Sequence, residues 1–268
     1  MNNLSACQRL DIIRNKNRPT VRDYIPLLFN DFFEMHGDRY YGDDGAVIGG
    51  IGYFGDIPVT VLSTVKGRNL DENKQSNFGM PHPEGYRKAL RLAKQAEKFH
   101  RPVICLVDTS GAFCGIEAEE RGQGEAIAKN LTEFMILKTP IITVILGEGG
   151  SGGALGLAVC DELAMLENAI YSVISPRGCA SILWKDASRE REACEVLRIT
   201  SEDLTEFGIC DYTIEEAIGG AHNDVEQTAE HISEFISGAL ERNLQKGLDE
   251  LLNQRYTKFR KMGEFQEF

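Results

Sequence analysis

The sequence predicts an α/β domain built on a parallel sheet with helical ends, on three observations. Two short apolar runs, Val103 to Val107 and Ile141 to Leu146, have the length and β-branched content of fully buried parallel strands. Each run ends in a glycine-rich turn, Asp108-Thr-Ser-Gly-Ala-Phe-Cys-Gly115 and Gly147-Glu-Gly-Gly-Ser-Gly-Gly-Ala-Leu-Gly156, and each turn leads into a helical stretch. The chain is 268 residues long, enough to bury one large core without a second domain.

The elements follow in order. Thr20-x-x-Asp23 reads as a capping box for a helix carrying Ile25, Leu28, Phe29, Phe32 and Phe33, with Gly37 as its stop. Residues 1–37 are therefore expected to be a helical segment, 38–223 the core and 224–268 a helical end. Val47 to Phe54 and Ile57 to Val65, joined by Gly55-Asp56, read as a hairpin. Gly49, Gly50 and Gly52 thin its first strand, as close approach by a neighbour requires.

After a polar loop from Lys66 to Gly85 comes a basic helix. Arg87, Lys88, Arg91, Lys94, Lys98 and Arg101 are expected on its solvated face, with Ala89, Leu92, Ala93, Ala96 and Phe99 turned inward. A second reading gives these cations an acidic partner or a phosphate-bearing ligand. Beyond it the pattern predicts helices at Glu117 to Ile136, Gly152 to Cys160, Ser175 to Trp184 and Asp186 to Arg198. Extended runs fall at 162–166, 169–174 and 209–214, and Asp224 to Arg255 carries an apolar stripe at helical spacing.

Composition excludes several classes. A formal net charge of -12 argues against a nucleic-acid partner. The seven cysteines form no C-x-x-C pair, so neither a metal site nor a disulfide framework is expected. Arg9, Asp11 and Arg14 interrupt the start where a signal peptide needs an apolar run, and no apolar stretch approaches the ~20 residues of a membrane span, so a cytoplasmic location is expected.

Residues 147–156 admit three chemical readings. Gly147, Gly149 and Gly152 satisfy G-x-G-x-x-G, with Glu167 near the position of a ribose-binding acid, but the helix that follows is short for a dinucleotide crossover. Gly149-x-Ser151-x-Gly153, followed by Asp211 and then His222 or His231, gives the chain order of a serine hydrolase triad of α/β type, although Ser151 also reads as a small residue in a crowded turn. The third reading alone employs both glycine turns: backbone N–H groups at two adjacent strand ends form an oxyanion site, and the substrate carries most of the chemistry. Glu117, Glu119 and Glu120 then serve the first turn of a helix rather than acting as bases.

Four strings extend this last reading. Asn77 to Arg91, Glu117 to Ala128, Gly147 to Ala154 and Ser172 to Trp184 resemble the α subunit of the carboxyltransferase component of bacterial acetyl-coenzyme A carboxylase, a likeness that runs from about Arg18 to Phe259. The resemblance implies a crotonase-like (ClpP/crotonase) spiral of ββα units. It implies transfer of a carboxyl group from carboxybiotin, presented by a biotin carboxyl carrier protein, to acetyl-CoA to form malonyl-CoA for fatty-acid synthesis. It further implies a β subunit that bears the zinc and handles the CoA thioester, an α2β2 assembly, and biotin carboxylase in the larger complex. The family's oxyanion glycines correspond to Gly152 and Gly153, with Gly149, Gly150, Ser151, Gly111 and Ala112 around the carboxybiotin. Ser110 and Cys114 stand where many relatives carry proline, and Arg177 where glutamate is common. Gly153→Ala is expected to be a mild change, keeping the N–H and adding one methyl group.

Overall fold

The computed structural model describes residues 4–263. Its centre is an eight-stranded sheet. Ahead of it come α1 (Ala6–Ile13) and α2 (Val21–Leu28), the second opened by the Thr20/Asp23 capping box. The helix expected to continue to Gly37 ends at Leu28, and Asn30–Glu34 forms an edge strand, β1, antiparallel to β2 (Val47–Phe54). Phe29, Phe32 and Phe33 fit helical spacing, yet Phe29 caps the helix in extended conformation and Phe33 is largely exposed. Pairing with the hairpin satisfies this backbone in place of a helix.

The hairpin itself forms as expected, β2 against β3 (Ile57–Thr64) in continuous register with Gly55 at positive φ in the turn. Its glycines admit close neighbours. A Cβ on Gly50 would overlap the Phe33 carbonyl oxygen of β1, and one on Gly49 would press on Leu92.

A short α3 (Leu70–Gln75) precedes the basic helix, α4 (Pro83–Lys98). Two inward and outward assignments on α4 reverse. Lys88 is buried, its ammonium donating to the Asp43 carboxylate and, at 2.9 Å, to the Asp44 carbonyl, while Phe99 just past the helix is exposed. Burying a cation is tolerable only with such partners, and these come from a loop some forty residues earlier.

Strands β4 (Val103–Thr109) and β5 (Ile141–Gly150) are parallel and lie side by side at the middle of the sheet. The helical stretch between them is two helices, α5 (Ile116–Glu120) and α6 (Gln123–Met135), divided at Gly122, whose φ of 83° no helix accommodates. The next helix, expected to reach Cys160, is only the single turn α7 (Ser151–Leu155). Strand β5 has two partners along one edge: β6 (Glu162–Leu166) beside residues 142–145 and β7 (Ile170–Ser172) beside 148–150. This split edge pairs the start of the second glycine turn, residues 148–150, with β7.

The remaining helices are α8 (Pro176–Leu183), α9 (Glu190–Val196) and α10 (Ser201–Glu206), after which β8 (Tyr212–Ile214) closes the far edge of the sheet beside β6. The long terminal helix divides into α11 (Val225–Leu244) and α12 (Leu248–Lys261) at Gly247. The last helix is pinned by Arg255. Its buried guanidinium donates to the carbonyls of Phe134, Leu137 and Thr139 at 2.7–2.9 Å and to both Asp161 carboxylate oxygens at 2.7 and 2.8 Å. Among the described residues no helix is long and apolar enough to cross a membrane.

Candidate functional site

The two glycine turns, at the carboxyl ends of β4 and β5, pack backbone against backbone. A Cβ on Gly150 would overlap the Ser110 carbonyl, and one on Gly153 would overlap Gly111 and the Ala112 nitrogen. Gly111, at φ 144°, has its N–H held at 3.1 Å by the Thr109 hydroxyl, which in turn donates to the Gly111 carbonyl at 2.9 Å. The sequence-predicted residues Gly111, Ala112, Gly150, Ser151, Gly152 and Gly153 thus come together, and Gly149 supports them beneath the Tyr171 ring. Gly152 and Gly153 lie in the first turn of α7, where N–H groups have no acceptor within the helix, and no side chain caps that turn. Consecutive first-turn amides on a rigid turn suit an oxyanion. A helix of five residues adds little dipole, so the amides themselves carry this capacity rather than the helix.

Charged side chains set the register of the two turns. Asp108 Oδ1 accepts the Glu148 N–H at 2.8 Å and the Lys66 ammonium at 2.8 Å, and Lys66 reaches Glu148 at 2.7 Å. Gly147 leaves room for this carboxylate, since a Cβ there would stand 2.7 Å from it. Burial disfavours the charged forms of Lys66 and Glu148, but their attraction outweighs it, raising the Lys66 pKa and lowering that of Glu148. Arg14 extends the network at 3.2 Å from Glu148 and 2.9 Å from Glu190. Sequence reasoning did not single out this lattice, whose only local signal is an acid placed directly after a buried strand and another among glycines.

A mainly apolar cavity of about 410 Å³ opens at Ser151 and Gly152, lined by Leu155, Tyr171, Val173, Leu197 and Phe207 among others. It holds neither histidine nor carboxylate. The residues proposed for a hydrolase are scattered: Asp211 accepts the Leu163 N–H at 2.7 Å and pairs with Lys258, His222 meets Asn15 at 3.3 Å, and His231 meets the Glu215 carbonyl at 2.9 Å. Ser151 has the positive φ, 52°, of a tight turn, and no base reaches it. The serine hydrolase reading therefore fails. The dinucleotide reading fails with it, because one turn of helix cannot serve as a crossover. Arg177 and Cys114 are exposed; Glu117 and Glu119 lie in the first turn of α5, while Glu120, expected there too, is its last residue. Among the described residues no group of three or more His, Cys, Asp or Glu side chains gathers as a metal would require.

A family model described as acetyl co-enzyme A carboxylase carboxyltransferase-like matches residues 1–263. The acetyl-coenzyme A carboxylase carboxyl transferase subunit alpha of Clostridium acetobutylicum is 58% identical over 264 residues, 98% of this chain and 96% of that one. The chain belongs to the acetyl-CoA carboxylase carboxyltransferase α family. A fused beta/alpha protein of Clostridium tetani is 52% identical over 264 residues, 98% of this chain but 46% of the fused one. Among solved structures, transcarboxylase 12S superposes with a TM-score of 0.71 at 19% identity, covering 92% of this chain and 46% of that one. A Pseudomonas malonate decarboxylase hetero-tetramer gives 0.64 at 18% identity, covering 80% and 86%. At such identities the likeness is one of fold, and the fold is crotonase-like, as the resemblance implied.

Proposed function

We propose that this chain is the α half of a biotin-dependent acetyl-CoA carboxylase carboxyltransferase, with the oxyanion site built from the Gly152 and Gly153 amides. The observation that supports the site is the place of these two amides in the uncapped first turn of α7, where the two glycine turns pack backbone against backbone. Carboxybiotin presented by the carrier protein would supply the carboxyl group, and the Gly152 and Gly153 amides would hold its ureido oxygen and stabilise negative charge there.

The chain's own contribution is positional and electrostatic. The Gly152 and Gly153 amides donate to the developing oxyanion from a backbone that cannot swing away, because Gly111 and Ala112 pack behind it. Gly149, Gly150 and Ser151 carry the backbone to that point. The Asp108–Lys66–Glu148 lattice fixes the spacing of the turns, and the apolar cavity beside Gly152 keeps the local dielectric low, where such donors act most strongly. No side-chain nucleophile takes part.

Acetyl-CoA and the zinc are assigned to a β subunit in an α2β2 assembly that docks with biotin carboxylase in the cytoplasm. The Clostridium tetani fusion supports the pairing, since it joins β and α in one chain. The test is malonyl-CoA formation by this chain alone and with its β subunit. The isolated chain is expected to be inactive and the mixture active; substantial turnover by rigorously purified α chain overturns the assignment.

A further inference from the structure

The cations of the basic helix α4 lead away from the glycine turns, to a second cavity of about 690 Å³ between α4, the start of α6 and the loop at residues 37–42. In a chain of net charge -12, it is lined by six lysine and arginine side chains against Asp38 and Glu125. Two of the cations are structural. Arg87 is held by Asp38 at 2.8 Å and Glu84 at 2.8 Å, and Arg121 by Glu84 at 2.8 Å. Lys94 pairs with Glu133. The other three, Arg39, Arg91 and Lys129, have no carboxylate partner among the described residues: Arg39 donates only to the His36 carbonyl, Arg91 only to the carbonyls of Gly37 and His36, and Lys129 is exposed. Burial, with Arg39 nearby, lowers the Arg91 pKa despite Asp43 and Asp38, as befits a cation lacking a counter-ion of its own.

The loop that presents Arg39 is rigidly built. Asp38 is buried, and its Oδ1 accepts the N–H groups of Tyr40, Tyr41 and Gly42 at 2.8–3.0 Å while its Oδ2 holds Arg87. Arg39 sits at φ 71°, a conformation that costs a non-glycine residue free energy and persists only where the surroundings impose it. What this loop displays is two tyrosines at 82% and 71% exposure, each with a guanidinium over its ring, Arg87 at 5.9 Å from Tyr40 and Arg121 at 4.6 Å from Tyr41. Exposed aromatic rings beside unpaired guanidinium forks provide a stacking surface for a planar base and bidentate donors for phosphate.

We infer that this cavity binds a nucleotide carrying at least two phosphates, its base on Tyr40 and Tyr41 and its phosphates on Arg39, Arg91 and Lys129. The volume lies within the range of small-molecule sites. Two sources share the chemistry: a free nucleoside diphosphate and the nucleotide head of a CoA thioester.

Calorimetric titration of the full chain with ADP, coenzyme A, adenosine and inorganic pyrophosphate tests the inference. ADP is expected to bind at least about tenfold more tightly than either adenosine or pyrophosphate, since both halves of the site are engaged. Coenzyme A equal to ADP assigns the CoA head, and ADP well ahead of coenzyme A assigns a free nucleotide. Tyr41→Ala and Lys129→Ala, both on exposed side chains, are each expected to weaken ADP at least about fivefold with unchanged thermal unfolding, while Arg177→Ala, elsewhere on the surface, leaves it unchanged. Absence of ADP binding at millimolar concentration, pyrophosphate as tight as ADP, or variants that bind like wild type each overturn the inference.

Discussion

Replacing Gly152 and Gly153 separately discriminates between the amide as a chemical donor and the glycine as a packing device. At 152 a Cβ has only Ile127 Cγ2 within reach, at 3.7 Å, an ordinary van der Waals contact. Gly152→Ala keeps the N–H and is expected to fold, assemble and turn over near the wild-type rate. Gly152→Pro removes the donor, and loss of one oxyanion-hole donor typically costs ~10² to 10³ in rate, or about 3 to 4 kcal/mol. At 153 the expectation of a mild alanine substitution is reversed by the structure, because the methyl group would overlap the Gly111 and Ala112 backbone, which cannot yield as a flexible side chain can. Overpacking of this kind costs about 1 to 3 kcal/mol, which lowers Tm by roughly 2 to 12 °C in a domain of this size. The assay is malonyl-CoA formation by the assembled α and β subunits, alongside thermal unfolding of each variant, since proline at 152 also constrains Ser151. If Gly152→Pro folds, assembles and retains near wild-type turnover, the amide at 152 is no oxyanion donor and the mechanism assigned to this turn is wrong.

Ser151→Ala is expected to keep most activity and a fluorophosphonate probe to leave the chain unlabelled; a loss of ~10³ in rate would restore a nucleophilic role. Arg255→Met leaves Asp161 unpaired and three carbonyls bare, so unfolding free energy should fall by about 3 to 5 kcal/mol in denaturant titration, and Arg255→Lys should recover little because one ammonium cannot span the same acceptors. Partial burial pushes the Asp43 carboxyl up, but hydrogen bonds from Lys88, the Gly37 N–H and His36 outweigh it and bring its pKa down to about 2. A folded-state pKa below the unfolded one gives stability that is fully present above about pH 4 and lost as pH falls towards the folded value. The stability difference between wild type and Asp43→Asn should therefore be constant above that pH and shrink below it; a pH-independent difference from pH 5 to pH 2 refutes the account.

What could be read from the sequence was local. The β2–β3 hairpin was legible because two extended runs and the Gly-Asp turn between them lie within twenty residues, and the candidate turns were legible because strand, glycines and helix follow one another directly. Strand β1 was hidden because Phe29, Phe32 and Phe33 satisfy helical spacing equally well, and only the hairpin's free edge decides between the two. Lys88 reads as a surface cation until the carboxylate of Asp43 and the carbonyl of Asp44 arrive from a distant loop. The same holds for the site: the sequence marks Gly152 and Gly153 together, yet only their contacts with Ile127 and Gly111 show that one tolerates a methyl group and the other does not.

The clamp made by Arg255 also bears on how the chain is completed during synthesis. Its acceptors lie between 94 and 121 residues earlier, so at elongation rates of about 5 to 20 residues per second they are made roughly 5 to 25 s before the guanidinium that satisfies them. During that interval the end of α6 and the entry to β5 keep water on their carbonyls, and Asp161 holds only the Ile141 N–H. The central strand of the sheet is thus laid down early but sealed late, and a ribosome stalled between β8 and α12 displays a nearly finished domain whose middle can still open.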